Sequence, residues 1–232
     1  MTSRTGDVSD EPWAILPPEQ RRFTVDEVRR ACATLPLSRH WPDDADVDAW
    51  RPSASLLPIM EHAGEAAVVL TQRASTLKRH GGDWVLPGGV CEPDDATPAA
   101  TAQRETAEEL GVPLSAVEVA GMLDSHGPFQ TGFLLQFFIG FIAPGTVLRP
   151  NPAEVAAVEL APLSALMAEG AHHISDQAPA GYVLPGIGPT DRQPTRRRLH
   201  YFRIRDEEFV WGLQGTTLVD LLTHLVAERL RS

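Results

Sequence analysis

The chain has 232 residues, 43% of them hydrophobic and 6% aromatic, which suits one large domain or a domain with an arm. A formal net charge of -11 opposes binding to a nucleic-acid backbone, and no apolar run is long enough to span a membrane. The first residues hold no apolar secretion segment, and two cysteines, Cys32 and Cys91, are too few for a structural zinc site, so free thiols in a reducing cytoplasm are expected.

Residues 1–22 are polar, include Pro17 and Pro18, and read as a loose arm. Thr24 stands three residues before Glu27, a capping-box pattern that predicts a short helix in "FTVDEVRRACATL". "SRHWPDDADVDAWRPSA" is acidic and irregular, a linker or surface loop. The expected division is therefore an arm with a short helix over 1–52 and the main domain over 53–232. "EAAVVLTQR" predicts a buried strand, and "DWVLPGG" a short strand ending in a glycine turn. A helix from Pro98 to Leu110 follows, with Thr97 as its N-cap and Gly111 as its stop. "VEVAGMLDS" and "FLLQFFIGFI" predict two more strands, and "EVAAVELAPLSALMAEG" a strand that turns into a helix at Pro162. The Pro- and Gly-rich stretch 174–198 reads as a long loop, with Arg196, Arg197 and Arg198 an exposed run. "HYFRI" and "EFVWG" predict a hairpin around Arg205 and Asp206, with Trp211 read as core. Leucines 218, 221, 222 and 225 predict a closing, core-facing helix. Strands and helices interleave, so the fold class is α/β, a sandwich.

The helix over 98–110 carries Glu105, Glu108 and Glu109 on one wheel face, with Ala100, Gln103, Ala107 and Leu110 opposite, facing a sheet. Like charges at this spacing repel, and two of the acids sit in the last turn, where the helix dipole disfavours anions. A hard divalent cation reverses both effects. A solvated surface helix is the competing explanation, since glutamate is a good helix former. The preceding Gly88–Gly89 pair favours the cation, because glycine lets backbone approach the acids closely. Arg104 is placed to grip an acid in a fixed fork, with Asp95 the nearest partner.

These residues resemble the Nudix box. Gly89, Arg104, Glu105, Glu108, Glu109, Gly111 and Val112 fall on its pattern. Asp95 stands where the box has Glu, eight residues rather than seven separate it from Arg104, and Thr106 replaces an aliphatic residue. The resemblance implies an α/β/α sandwich with a mixed sheet. It also implies Mg²⁺- or Mn²⁺-dependent hydrolysis of a nucleotide diphosphate joined to another group. It carries Glu105, Glu109 and the Gly89 carbonyl over as metal ligands, Glu108 as a further ligand or a group that orients the water, Arg104 as a structural residue, and Glu154 as a weaker candidate late acid or general base.

The expanded spacing before Arg104 resembles the coenzyme A pyrophosphatase subgroup, as do Leu70, Thr71, Gly82, Pro87, Gly88 and Gly89 in "VLTQRASTLKRHGGDWVLPGG". Lys78 takes the place of that subgroup's arginine and Leu86 that of its phenylalanine. The likeness runs over about residues 53–230. It implies hydrolysis of CoA or acyl-CoA to 3′,5′-ADP and (acyl-)4′-phosphopantetheine. Lys78, Arg79 and His80 either meet the 3′-phosphate or form a solvated basic turn. The alternatives are a Nudix hydrolase of ADP-ribose, NADH or nucleoside triphosphates, and a non-catalytic nucleotide-binding regulator. The expected partner is a small nucleotide diphosphate, without nucleic acid or membrane, and a homodimer is one candidate assembly.

Overall fold

The computed structural model describes residues 11–37, 51–77, 80–126, 133–179 and 198–231. Helix α1 (Val25–Cys32) is followed by β1 (Arg51–His62), β2 (Glu65–Arg73), β3 (Trp84–Val85) and β4 (Gly88–Val90). Then come α2 (Pro98–Leu110), β5 (Val117–His126), β6 (Phe133–Ile142), β7 (Val155–Pro162) and the short α3 (Leu163–Leu166). Strands β8 (His172–Ser175), β9 (Leu199–Arg205) and β10 (Glu208–Trp211) precede the closing helix α4 (Leu213–Arg229).

One mixed sheet runs β5-β6-β1-β2-β3-β10-β9-β8, with β4 paired to β1 and β7 to β2. The pairs β1–β6 and β3–β10 are parallel, and the others are antiparallel. Strand alternation sorts the side chains onto two faces. Leu57, Ile59, Val68, Leu70, Trp84, Phe202 and Val210 turn towards α4 and form the larger core. Ala54, Leu56, Val69, Phe138 and Ile142 turn the other way and pack beneath Ala102, Ala107 and Leu110 of α2. The architecture is thus the expected α/β sandwich.

Four sequence expectations change. The loose arm does not describe residues 11–22. Pro12–Ile15 forms a 3-10 turn that buries Trp13 fully against His172 and Phe202, and Leu16 is buried beside it. Arg229 then fixes the next residues: it donates to the carbonyls of Gln20 and Arg22, pairs with Glu27 at 2.6 Å and lies 3.6 Å over the Phe23 ring. The central strand β1 lies where no strand was expected, because Pro52 and Pro58 interrupt its sequence signal. Gly88 and Gly89 belong to a strand rather than a turn, opposite Ser55 and Ala54 of β1. Trp211 is half-buried on the α2 side of the sheet, facing away from the main core.

Three further local readings match the structure. The Thr24–Glu27 capping box is formed, β9 and β10 make the hairpin, and Cys32 and Cys91 are free thiols. Among the described residues no helix is long and apolar enough to cross a membrane. Lys78, Arg79, residues 38–50 of the acidic stretch and residues 180–197 of the long loop, with Arg196 and Arg197, lie outside the described residues, and the expected loop starts later because residues 174–175 end β8.

Candidate active site

Helix α2 is held at both ends. Thr97 Oγ1 accepts from the Ala100 N–H at 3.1 Å, and Gly111 ends the helix at φ 61°, pressed against the Arg149 carbonyl where no side chain fits. Between these caps, the three acids meet three different environments. The Glu108 side chain is 58% exposed, Glu105 17% and Glu109 5%. The shared face of the helical wheel is therefore corrected: Glu109 points under the helix, towards the end of β2.

Arg104 ties the near side together. Its Nε and Nη2 donate to the two Asp95 oxygens at 3.0 and 2.9 Å, a bidentate pair. Its Nη1 donates to Glu105 at 3.0 Å and to Glu108 at 3.1 Å. The Asp95 carboxylate also accepts from the Thr101 hydroxyl and the Glu92 N–H, both at 2.9 Å. The Arg104 guanidinium holds the Asp95 carboxyl well below the usual carboxylate range, and Asp95 in turn tightens the hold of Arg104 on its proton.

The far side is short of partners. Burial pushes the Glu105 carboxyl up, against the pull of Arg104. Burial pushes Glu109 up to about 8, although Arg73 and the Gly88 N–H oppose the shift, and the charges of Glu105 and Glu154 add to it. Arg73, at the end of β2, comes within 4.0 Å of Glu109 Oε1. Glu109 Oε2 and Arg73 Nε are both buried without a hydrogen-bond partner. A buried polar atom left unpaired costs about 1–3 kcal/mol, so an acceptor and a donor orphaned together point to a ligand that meets both.

The glycine pair explains the close packing. A Cβ on Gly89 would stand 2.3 Å from Glu105 Oε1, and one on Gly88 would stand 2.5 Å from the Ala54 carbonyl. Glu154 is exposed on the turn before β7; its backbone carbonyl accepts from the Ala74 N–H, just beyond Arg73. His80 is exposed and bonded through Nδ1 to Asp83 Oδ2 at 3.0 Å. Cys91 is half-buried and its thiol is pushed up by burial, which disfavours a reactive thiolate.

Carboxylate oxygens of Glu105, Glu108 and Glu109 beside a glycine backbone are the donor set a hard divalent cation takes, and the unpaired Glu109 oxygen fits such an ion. Among the described residues no three acids, histidines or cysteines are already gathered as a metal cluster, and Arg104 donates to both Glu105 and Glu108. Arg73 escaped the sequence reading. Its available signal was a cation closing the apolar strand "EAAVVLTQR".

Comparisons with known proteins agree with this fold. The NUDIX domain profile matches residues 49–186. The uncharacterized Nudix hydrolase NudL of Photorhabdus laumondii is 34% identical over 174 residues, covering 74% of this chain and 83% of that protein. Nudix hydrolase 3 of Caenorhabditis elegans is 31% identical over 196 residues, covering 83% of this chain and 81% of that one. The MutT/nudix family protein from Enterococcus faecalis superposes with a TM-score of 0.50 at 14% identity, over 97% of this chain and 76% of that one, a likeness of fold. The chain belongs to the Nudix hydrolase family, enzymes that cleave pyrophosphate bonds in nucleotide conjugates and generally use divalent metal ions.

Proposed function

We propose that the protein hydrolyses the pyrophosphate bond of CoA or acyl-CoA, giving 3′,5′-ADP and (acyl-)4′-phosphopantetheine. One water adds across the P–O–P bridge, and its protons leave on the two phosphate products and the solvent. The observation that carries the reading is the buried pair of unsatisfied atoms, Glu109 Oε2 and Arg73 Nε, at the end of the acid-bearing helix. For CoA in particular, support comes from the eight-residue spacing between Asp95 and Arg104 and the likeness over residues 53–230. In this reading residues 53–232 form the catalytic domain, and the N-terminal segment braces it.

Glu105, Glu108, Glu109 and the Gly89 carbonyl are the groups that hold Mg²⁺ or Mn²⁺. When bound, the ion neutralises charge on the diphosphate and makes a coordinated water more acidic. Arg104, fixed by Asp95, keeps Glu105 and Glu108 turned to one side. Arg73 offers its unpaired N–H to a phosphate oxygen. Glu154, exposed beside the site, is the acceptor for the proton of the attacking water. Lys78, Arg79 and His80, which lie between residues 73 and 84 in the sequence, are the groups offered to the 3′-phosphate.

The test is kcat/KM for CoA, dephospho-CoA, ADP-ribose and NADH, each with Mg²⁺ and with Mn²⁺. CoA is expected to lead. A higher value for ADP-ribose or NADH overturns the substrate and leaves the chemistry.

A further inference from the structure

A threonine inside a helix commonly turns its hydroxyl back onto the carbonyl four residues earlier. In the described helices Thr106 does so to Ala102 at 2.7 Å, Thr216 to Gly212 at 3.1 Å, Thr217 to Leu213 at 2.9 Å and Thr223 to Val219 at 2.7 Å. Thr101 behaves differently. It is fully buried in the first half of α2, and its N–H bonds to the Thr97 carbonyl like any helical residue. Its hydroxyl leaves the helix and donates to Asp95 Oδ2 at 2.9 Å.

Asp95 receives four donors. Oδ1 accepts from Arg104 Nε at 3.0 Å, and Oδ2 accepts from Arg104 Nη2, the Thr101 hydroxyl and the Glu92 N–H, each at 2.9 Å. The Asp95 N–H returns to the Glu92 carbonyl at 3.0 Å and closes the turn. The guanidinium of Arg104 is a rigid plane. Once its Nε–Nη2 edge is set on Asp95, the direction of Nη1 follows. Nη1 is the nitrogen that meets Glu105 at 3.0 Å and Glu108 at 3.1 Å. The two Arg104 bonds alone would let acid and guanidinium rock together as one body. The Thr101 hydroxyl ties that body to the helix that carries Glu105 and Glu108, and the Glu92 N–H ties it to the turn before the helix.

We propose that Thr101 is a positioning residue for the metal-binding acids: its hydroxyl fixes Asp95, Asp95 fixes the plane of Arg104, and Arg104 fixes where Glu105 and Glu108 present their oxygens. The inference rests on the reading of those glutamates as ligands of a divalent cation. Thr101 touches neither the ion nor the substrate. Partners behind the ligands set metal affinity because ligands that already point inward lose less freedom when the ion arrives. A residue needed only to fill this buried space could equally be a valine, which has the shape of threonine without the hydroxyl.

The test is calorimetric binding of Mn²⁺ to the substrate-free protein, with the melting temperature of the metal-free form measured beside it. Thr101→Val removes the hydroxyl and should weaken Mn²⁺ about tenfold. Thr101→Ser restores the donor and should bind Mn²⁺ within about twofold of the wild type. Thr106→Val removes a buried hydroxyl of the same helix that bonds only within it, and should leave Mn²⁺ affinity unchanged whatever happens to the melting temperature. Wild-type Mn²⁺ affinity in Thr101→Val overturns the positioning role. So does an equal loss in Thr106→Val, or a Thr101→Ser variant as weak as Thr101→Val. If Thr101→Val does not fold, Thr101→Ala removes the same hydroxyl and is judged by the same outcomes. Glu105→Gln separates this inference from the reading beneath it. If Glu105→Gln binds Mn²⁺ as tightly as the wild type, the ion lies elsewhere and both fall. If Glu105→Gln weakens Mn²⁺ while Thr101→Val does not, the positioning role falls alone.

Discussion

Helices α2 and α4 flank one sheet and are stabilised by opposite means. Helix α4 has Gly212 at its N-cap and no side-chain cap, yet it buries Leu218, Leu221, Leu222 and Leu225 completely. Helix α2 is capped at both ends, and its underside includes Thr101, Thr106 and Glu109 among small alanines. A helix anchored by apolar area does not depend on its ends. A helix that must place an under-partnered acid against a sheet relies on local capping. The division separates folding energy from chemistry, and substitutions on the two helices should therefore act on different observables.

The largest expected effect is on α2. Glu109→Gln should lower turnover of the nucleotide diphosphate substrate by at least about a hundredfold. Its melting temperature should match or exceed that of the wild type, because burial already penalises the charge. A variant that kept near wild-type rates at saturating Mg²⁺ would falsify the site assignment.

Leu222→Ala on α4 should do the reverse. A fully buried leucine cut to alanine costs about 2–5 kcal/mol in denaturant titrations, while the rate per folded molecule should hold. Loss of rate with full stability would break the separation of roles.

A smaller effect is expected from the metal. At a hundredfold excess over its Kd, Mg²⁺ or Mn²⁺ should stabilise the fold by about 2.7 kcal/mol. The Glu109 carboxyl is raised in the folded state from 4.5 to about 8. Its contribution is therefore full below pH 4.5 and lost as pH rises through 8. The metal-free protein should thus lose stability over that window from this group, and the gain on adding metal should grow from pH 5 to pH 8. Melting curves with and without metal at both pH values measure this; a gain independent of pH would place the ion elsewhere. The smallest change is Thr97→Ala, expected to cost about 1 kcal/mol by removing the cap of α2. No measurable cost would mean that α2, like α4, does not need its end.

Local chemistry was legible in the sequence, and long-range chemistry was not. The bounds of α2 could be read because Thr97, Pro98 and Gly111 act on their own neighbours. The Arg104–Asp95 fork spans nine residues and was also within reach. Strand β1 was hidden because prolines argue against a strand when its partners are unknown, and β8 because four residues carry too little pattern. The depth of Glu109 depends on where β2 ends, and the burial of Trp13 on His172 and Phe202 far along the chain. A helical wheel places acids on a face but does not say how far the sheet extends beneath them.

The Arg229 clamp has a consequence for synthesis. The bonds to Gln20, Arg22 and Glu27 join residues more than 200 positions apart. On a ribosome adding about 5–20 residues per second, the segment carrying Trp13 and α1 emerges first and waits on the order of ten seconds or more for its anchor. During that interval its apolar face, with Trp13, Leu16 and Phe23, is exposed to whatever else is being made nearby. The order of emergence gives this segment, made before its anchor, a late docking step.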